Sequence, residues 1–366
     1  MVGDLDRRRV AVVGGGVVGC ATAYELIRAG FEVTLIERDT IGAHASKINA
    51  GNLNPLFGTP PELVPLALGA FRIHAEVRDE LARLGFADSP ALPLRRIHLG
   101  RDEEDRREME RTASVHNATE GFSATWLDRD GLSRIEPRLA RDIGFGLVTT
   151  GALFIDSYLF TKSLAEAAKK LGATLVQAAV TGVSRRGGRV TAIRIGRDLL
   201  ACDEVVLATG PWVAESESWL GIELPVIPVK GELLRVRMKE PLSSDFTWKS
   251  AALYRRRHGE VWIGGTMENC GFDSTPTFET KELLMEGATR MIPEMQSATI
   301  LDHVAALRPV SMQNTPIAGR AAGWQNVYVA NGGGTKGVLL CVGMARSIRN
   351  LLVEGSKNVV RQDPVR

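Results

Sequence analysis

Long apolar runs are missing from this chain of 366 residues: no stretch approaches the roughly 20 apolar residues that a membrane-spanning helix needs. An excess of one charge is missing too. Lys and Arg total 45 against 43 Asp and Glu, a net +2, so no overall field draws the chain onto nucleic acid or an acidic membrane. The clusters Arg7-Arg8-Arg9 and Arg255-Arg256-Arg257 flank strand-like residues and are expected as solvated strand ends. Cys20, Cys202, Cys270 and Cys341 lie far apart without paired-ligand spacing. That argues against a zinc site or a disulfide framework and fits free thiols in a reducing, cytoplasmic compartment. The histidines form no metal pattern and none pairs with a serine in a nucleophile elbow, so neither metal nor hydrolytic chemistry is expected. The apolar run after the first arginines, Val10 to Val13, is a strand rather than an export signal, because Gly14-Gly15-Gly16 cuts it short. Homo-oligomerisation and peripheral membrane attachment stay open.

What is present is a balance of 44% hydrophobic and 24% charged residues in a chain too long for one ordinary core, which implies two lobes. Val10 to Val13 reads as a strand buried on both faces. A helix follows from the spacing of Val17, Val18, Ala21, Tyr24 and Ile27, and Glu32 to Ile36 is the next strand, giving a right-handed β-α-β unit. Residues 40 to 66 are rich in Gly, Asn and Pro and read as a long loop before a helix over 71–84. The charged run 102–111 reads as a solvated helix face. A meander spans 174–207, and strands are expected at 225–238, 251–257, 260–267, 299–308 and 327–330, with helices at 280–291 and 338–352. The lobes therefore interleave along the chain.

Gly14, Gly16 and Gly19 form G-x-G-x-x-G between strand and helix, and Glu37 closes the next strand 18 residues after Gly19. Such glycines let a pyrophosphate approach the helix N-terminus, and such an acid accepts from a ribose hydroxyl. The alternative is a tight turn with no ligand, which the matching strand, helix and acid disfavour. Glu37 would repel a 2'-phosphate, so FAD and NAD are both open at this point.

Further along, Ser46, Asn49, Ala50 and Gly51 match the Ser-x-x-Asn-Ala-Gly segment of the D-amino-acid oxidase superfamily, which in that family lies against the flavin. Here the chain resembles the branch of glycine oxidases, sarcosine oxidases and bacterial D-amino-acid dehydrogenases. The likeness continues through Ala208-Thr209-Gly210, Pro228-Val229-Lys230-Gly231-Glu232, Gly264-Gly265-Thr266-Met267-Glu268, Leu307-Arg308-Pro309 with Thr315-Pro316 and Gly319, and Asn331-Gly332-Gly333-Gly334-Thr335-Lys336-Gly337. Each motif is loose, but their shared order is specific. The resemblance implies an α/β fold: a Rossmann-like FAD-binding domain (1–84, 148–222 and 308–366) interleaved with a substrate domain on a mostly antiparallel sheet (85–147 and 223–307).

It also implies FAD, with cofactor contacts at Gly14, Gly16, Val17, Val18, Gly19, Glu37, Arg38, Ser46, Asn49, Ala50, Gly51, Leu53, Val180, Thr209, Gly210 and Gly332 to Gly337. Noncovalent attachment is expected, since Asn49 and Ser311 occupy roughly the places where some relatives carry a linking histidine or cysteine. Glycines that open a helix gather bare amides and a positive dipole end, suited to the negative charge of a reduced flavin. Arg308 matches the arginine that grips the substrate carboxylate, a task suited to a bidentate guanidinium, and is expected at a strand end with Pro309 behind it. Lys336 matches a lysine that sarcosine oxidases use near substrate and flavin; a solvent-facing lysine is the plain alternative. Tyr254 matches a tyrosine near substrate, although the three arginines after it depart from the family pattern. Trp262 stands where sarcosine oxidases carry a lysine that helps oxygen, which leans toward a dehydrogenase.

The implied reaction is removal of a hydride from the carbon bearing nitrogen in a small carboxylate-bearing amine, with oxygen or a quinone-type carrier as the final acceptor. Rival readings are an FAD-dependent 2-hydroxy acid dehydrogenase of the same fold, an FAD-binding subunit of a hetero-oligomeric dehydrogenase, and an NAD-dependent dehydrogenase.

Overall fold

Parallel strands can be apolar along their whole length only if helices or further sheet cover both faces, and the amino-terminal strand Arg9–Val13 meets that condition, with Val10 to Val13 all buried. It lies inside a six-stranded sheet whose order is Ile317–Arg320, Val327–Asn331, Glu204–Leu207, Arg9–Val13, Glu32–Glu37, Thr174–Gln177. The inner pairings are parallel and only Ile317–Arg320 runs antiparallel. The computed structural model describes residues 8–87 and 90–354; Arg7 of the first basic cluster and the outermost parts of the expected FAD-binding domain lie outside them.

Helices Val17–Arg28, Val64–Arg83, Ser157–Lys170 and Gly337–Glu354 cover one face of this sheet in a single core. On the opposite face Val190 and Ile193 of a three-stranded meander pack against Ala11, Val13, Leu207 and Val329. The first and last helices are also joined by charge. The carboxylate of Glu25, 2% exposed at its side chain, meets Arg349 at 2.7 Å, Arg346 at 3.5 Å and Arg28 at 3.7 Å.

The second core belongs to an eight-stranded sheet, ordered Thr299–Ser311, Val226–Arg237, Glu260–Gly264, Ala251–Arg255, Asp245–Trp248, Arg96–Gly100, Phe145–Thr150, Ser123–Asp128. All its pairings are antiparallel except that of Asp245–Trp248 with Arg96–Gly100. Helix Phe278–Met291 seals it with Leu284, Ala288 and Met291. The charged run beginning at 102 is a helix, Glu103–Asn117, capped by the Asp102 carboxylate, which accepts from the amides of Glu104 and Asp105.

Two expectations change. The strand carrying Arg308 does not end there: it runs on to Ser311, and Pro309 faces Pro228 across the pair. Two residues without N–H groups can oppose each other where the antiparallel ladder exchanges no hydrogen bonds, so proline is no stop signal here. The junctions placed at 148 and 308 fall inside strands, Phe145–Thr150 and Thr299–Ser311, both in the eight-stranded sheet. Among the described residues no helix is long and apolar enough to cross a membrane, and no group of three or more His, Cys, Asp or Glu could hold a metal ion.

Candidate active site

A cavity of about 600 Å³ runs between the two lobes from the first glycine turn to the last. The first turn is as tight as its spacing suggests. A Cβ on Gly14, whose φ is +108°, would collide with the carbonyl of Ala208, and one on Gly19 would collide with the carbonyl of Gly14. Glu37 accepts from the amide of Gly15 at 2.6 Å and from that of Asp39 at 2.8 Å, and Ser46 Oγ accepts from the amide of Val17 at 3.0 Å. Among the described residues no side chain caps the remaining first-turn amides of the Val17–Arg28 helix, an arrangement suited to an anion. Gly14, Gly16, Val17, Val18, Glu37 and Arg38 all line the cavity here, as do Ser46 and Val180.

Farther in, Asn49 and Ala50 line the wall, with Asn49 Oδ1 accepting from the Gly51 amide at 2.7 Å. Thr209 and Gly210 stand opposite, and the buried hydroxyl of Thr209 has no protein partner among the described residues, which leaves it for a ligand. The last turn brings Gly332, Gly333, Gly334, Thr335 and Gly337 to the same wall. Gly332 and Gly334 hold φ at +75° and +51°. Backbone polarity without Cβ atoms thus meets the cavity at both ends, as a dinucleotide with a ring system requires, so the residues present fit FAD.

Arg308 enters this cavity from the eight-stranded sheet. Its Nη1 donates to the carbonyl of Thr266 at 3.0 Å, and no carboxylate pairs with it among the described residues. Burial pushes the guanidinium's pKa down, because the charge is partly desolvated without an acid in return. Tyr254 lines the cavity beside it, its ring 5.6 Å from the guanidinium carbons of both Arg96 and Arg256. Arg255 and Arg257 are exposed as expected, but Arg256 is not a solvated strand end. Its guanidinium packs on the rings of Phe154 and Trp262, 4.4 and 4.5 Å away.

Five anticipated residues do not line the cavity. Gly19 and Gly51 act through the backbone, since a Cβ at Gly51 would collide with the carbonyl of Ile155. Leu53 is wholly buried in the helix-covered core. The Lys336 ammonium donates to the carbonyls of Asn54 and Phe57, at 3.0 and 2.6 Å, and so ties the last turn to the loop after Leu53. Trp262 donates to Glu260 and stays behind Tyr254 rather than at the cavity wall. Residues that the sequence did not single out also line it. Trp212 carries the Arg38 guanidinium carbon 4.3 Å from its ring and meets the tilted ring of His44, centroids 4.6 Å apart. Its place after Ala-Thr-Gly was the one available signal.

A nucleotide-type glycine turn, an acid on the second strand and a second glycine turn across the cleft define a dinucleotide-dependent oxidoreductase. Residues 9–351 match the family model described as FAD dependent oxidoreductase, and the chain belongs to that family, with FAD as its cofactor. It is similar to a glycine oxidase of Pseudomonas putida, 28% identical over 98% of this chain and 97% of that one. A hydrogen cyanide synthase subunit of Pseudomonas aeruginosa is also 28% identical, over 90% of this chain and 88% of that one. The solved glycine oxidase of Geobacillus kaustophilus superposes with a TM-score of 0.87 at 26% identity, over 96% of each chain.

Proposed function

We propose that the chain oxidises the C–N bond of a small amine that carries a carboxylate, of the glycine, D-amino acid, N-methyl amino acid or imino acid type. The observation that carries this reading is Arg308: a partly buried guanidinium at the cavity wall whose only protein partner among the described residues is the Thr266 carbonyl. An unpaired guanidinium in such a place suits a carboxylate from outside the chain, which it can bind through two parallel hydrogen bonds. The glycine oxidase relatives support the amine as the group oxidised.

Arg308 fixes the carboxylate and Tyr254 bounds the space beside it, so that the carbon bearing nitrogen is held in one orientation. When bound, FAD supplies the two-electron acceptor for the hydride that leaves that carbon. No dedicated base on the chain is needed if the amine binds neutral, and turnover then rises with pH through the ionisation of the bound amine. The imine product takes up water and releases an oxo acid or aldehyde with ammonia or a smaller amine. Oxygen or a quinone-type carrier then receives the electrons.

Anaerobic spectral titration of the yellow protein with D- and L-amino acids, N-methyl amino acids, imino acids and 2-hydroxy acids tests the proposal. Bleaching by one of the amines, with ammonia or amine released, is the expected result. Bleaching by 2-hydroxy acids alone would overturn it.

A further inference from the structure

We propose that Gly231 is a positioning residue for Arg308: its bare backbone is the shelf on which the guanidinium lies. The starting point is a glycine that its own backbone does not require. Gly231 sits inside the long strand Val226–Arg237, paired in regular register with Ala306, and it is not among the glycines with positive φ. Glycine in a strand interior costs stability and calls for a reason such as a close approach.

The register supplies that reason. Val229 faces Arg308 across the antiparallel pair, so Gly231, two residues on, lies on the same face and is the diagonal neighbour of Arg308. A long side chain at 308 that leans along the sheet crosses position 231. A Cβ built on Gly231 would collide with Nη1, Cζ and Nη2 of Arg308, the outer end of the guanidinium. No backbone atom stands among these nearest contacts, so the side chain, not the strand, must move if a methyl group is added.

The far edge of the shelf is pinned as well. The Glu232 amide donates to Thr266 Oγ1 at 2.8 Å, and the Thr266 carbonyl accepts from Arg308 Nη1 at 3.0 Å. Beyond it, Lys230 and Glu268 exchange backbone hydrogen bonds of 2.8 and 2.9 Å. Gly231 below and Thr266 at the side therefore fix the guanidinium plane. Nη2 and Nε, which have no protein partner among the described residues, remain for a carboxylate. That last step rests on the proposed function; the steric relation between the two residues does not.

The test is a double-mutant cycle on the FAD-loaded protein with Gly231→Ala, Arg308→Ala and the pair. Two readouts are taken: melting temperature, and binding of acetate followed by the flavin absorbance spectrum. Gly231→Ala should weaken acetate about tenfold or more, with flavin content kept. It should also lower the melting temperature, and in the Arg308→Ala background both effects should vanish. Equal losses in both backgrounds would mean that the strand itself needs glycine and would overturn the proposal. If Gly231→Ala alone does not fold, restoration of flavin content in the double variant supports the shelf, and continued failure to fold overturns it. If acetate does not bind the native protein, the carboxylate role of Arg308 falls, while the melting-temperature cycle still decides the relation of Gly231 to Arg308.

Discussion

The guanidinium of Arg256 donates through Nη2 to the carbonyl of Ala50, 2.6 Å away, and joins the eight-stranded sheet to the segment that lines the cleft after the Glu32–Glu37 strand. Burial brings its pKa down to about 10. Arg256→Ala removes this donor and the packing on Phe154 and Trp262. A stability loss of about 1–3 kcal/mol is expected. FAD should also leave the protein faster, as followed by the rise of free flavin fluorescence on dilution. Unchanged release would show that the tie to Ala50 does not hold the cofactor wall.

If Arg308 holds the substrate carboxylate as proposed, replacing it by Leu leaves that group without a partner. Affinity for carboxylate-bearing amines should fall by ~3 kcal/mol or more, roughly a hundredfold, with flavin content unchanged. Steady-state kinetics on the best substrate, together with acetate inhibition, measures this. Equal affinity in both proteins would remove Arg308 from the site.

Gly19→Ala places a methyl group against the Gly14 carbonyl, a backbone atom that cannot yield without opening the turn. The overpacking should cost ~1–3 kcal/mol. If the same turn, which lines the cavity, receives the pyrophosphate, the purified variant should be poor in FAD, which its visible absorbance relative to protein reports. Full flavin content at the native melting temperature would contradict the fit of the turn.

Lys336 gives a pH signature. Its pKa, ordinarily 10.5, is lowered to about 8, first by burial and then by the charge of Arg96. The folded chain holds this proton less tightly than the unfolded chain. Below the folded value the ammonium is charged in both states and carries its full desolvation cost, on the order of 3 kcal/mol. Between about 8 and 10.5 the folded chain has already lost the proton and the cost fades. Native stability relative to Lys336→Met should therefore rise with pH across that window, as read by urea unfolding at fixed pH values. A difference that stays flat would show that the ammonium is solvated.

The parts of this fold that could be read in the sequence are those where local chemistry and tertiary role coincide. Val10 to Val13 is apolar throughout because both faces of that strand are covered, and Gly14 must be glycine because its φ and the Ala208 carbonyl forbid anything else. The strands Arg96–Gly100, Ser123–Asp128 and Asp245–Trp248 went unread, since their partners lie far along the chain and their short runs carry no period of their own. Arg256 shows the same limit at a single residue. Nothing in three consecutive arginines tells which one turns inward onto Phe154 and Ala50; the turn after the strand Ala251–Arg255 and a loop 206 residues away decide it. Lys336 was recognisable by its motif, but its direction depends on where the Asn54 and Phe57 carbonyls end up.

The clasp of Glu25 by Arg346 and Arg349 has a bearing on how this protein is made. The first glycine turn is translated long before the strand Val327–Asn331 and the helix Gly337–Glu354, which complete its sheet and cover its first helix. Until that helix is made, a nascent chain leaves uncovered the part of Val17–Arg28 that packs on it. Cofactor capture should therefore wait for that helix, and a chain truncated before residue 337 should retain no flavin however intact its G-x-G-x-x-G, which its visible absorbance would report.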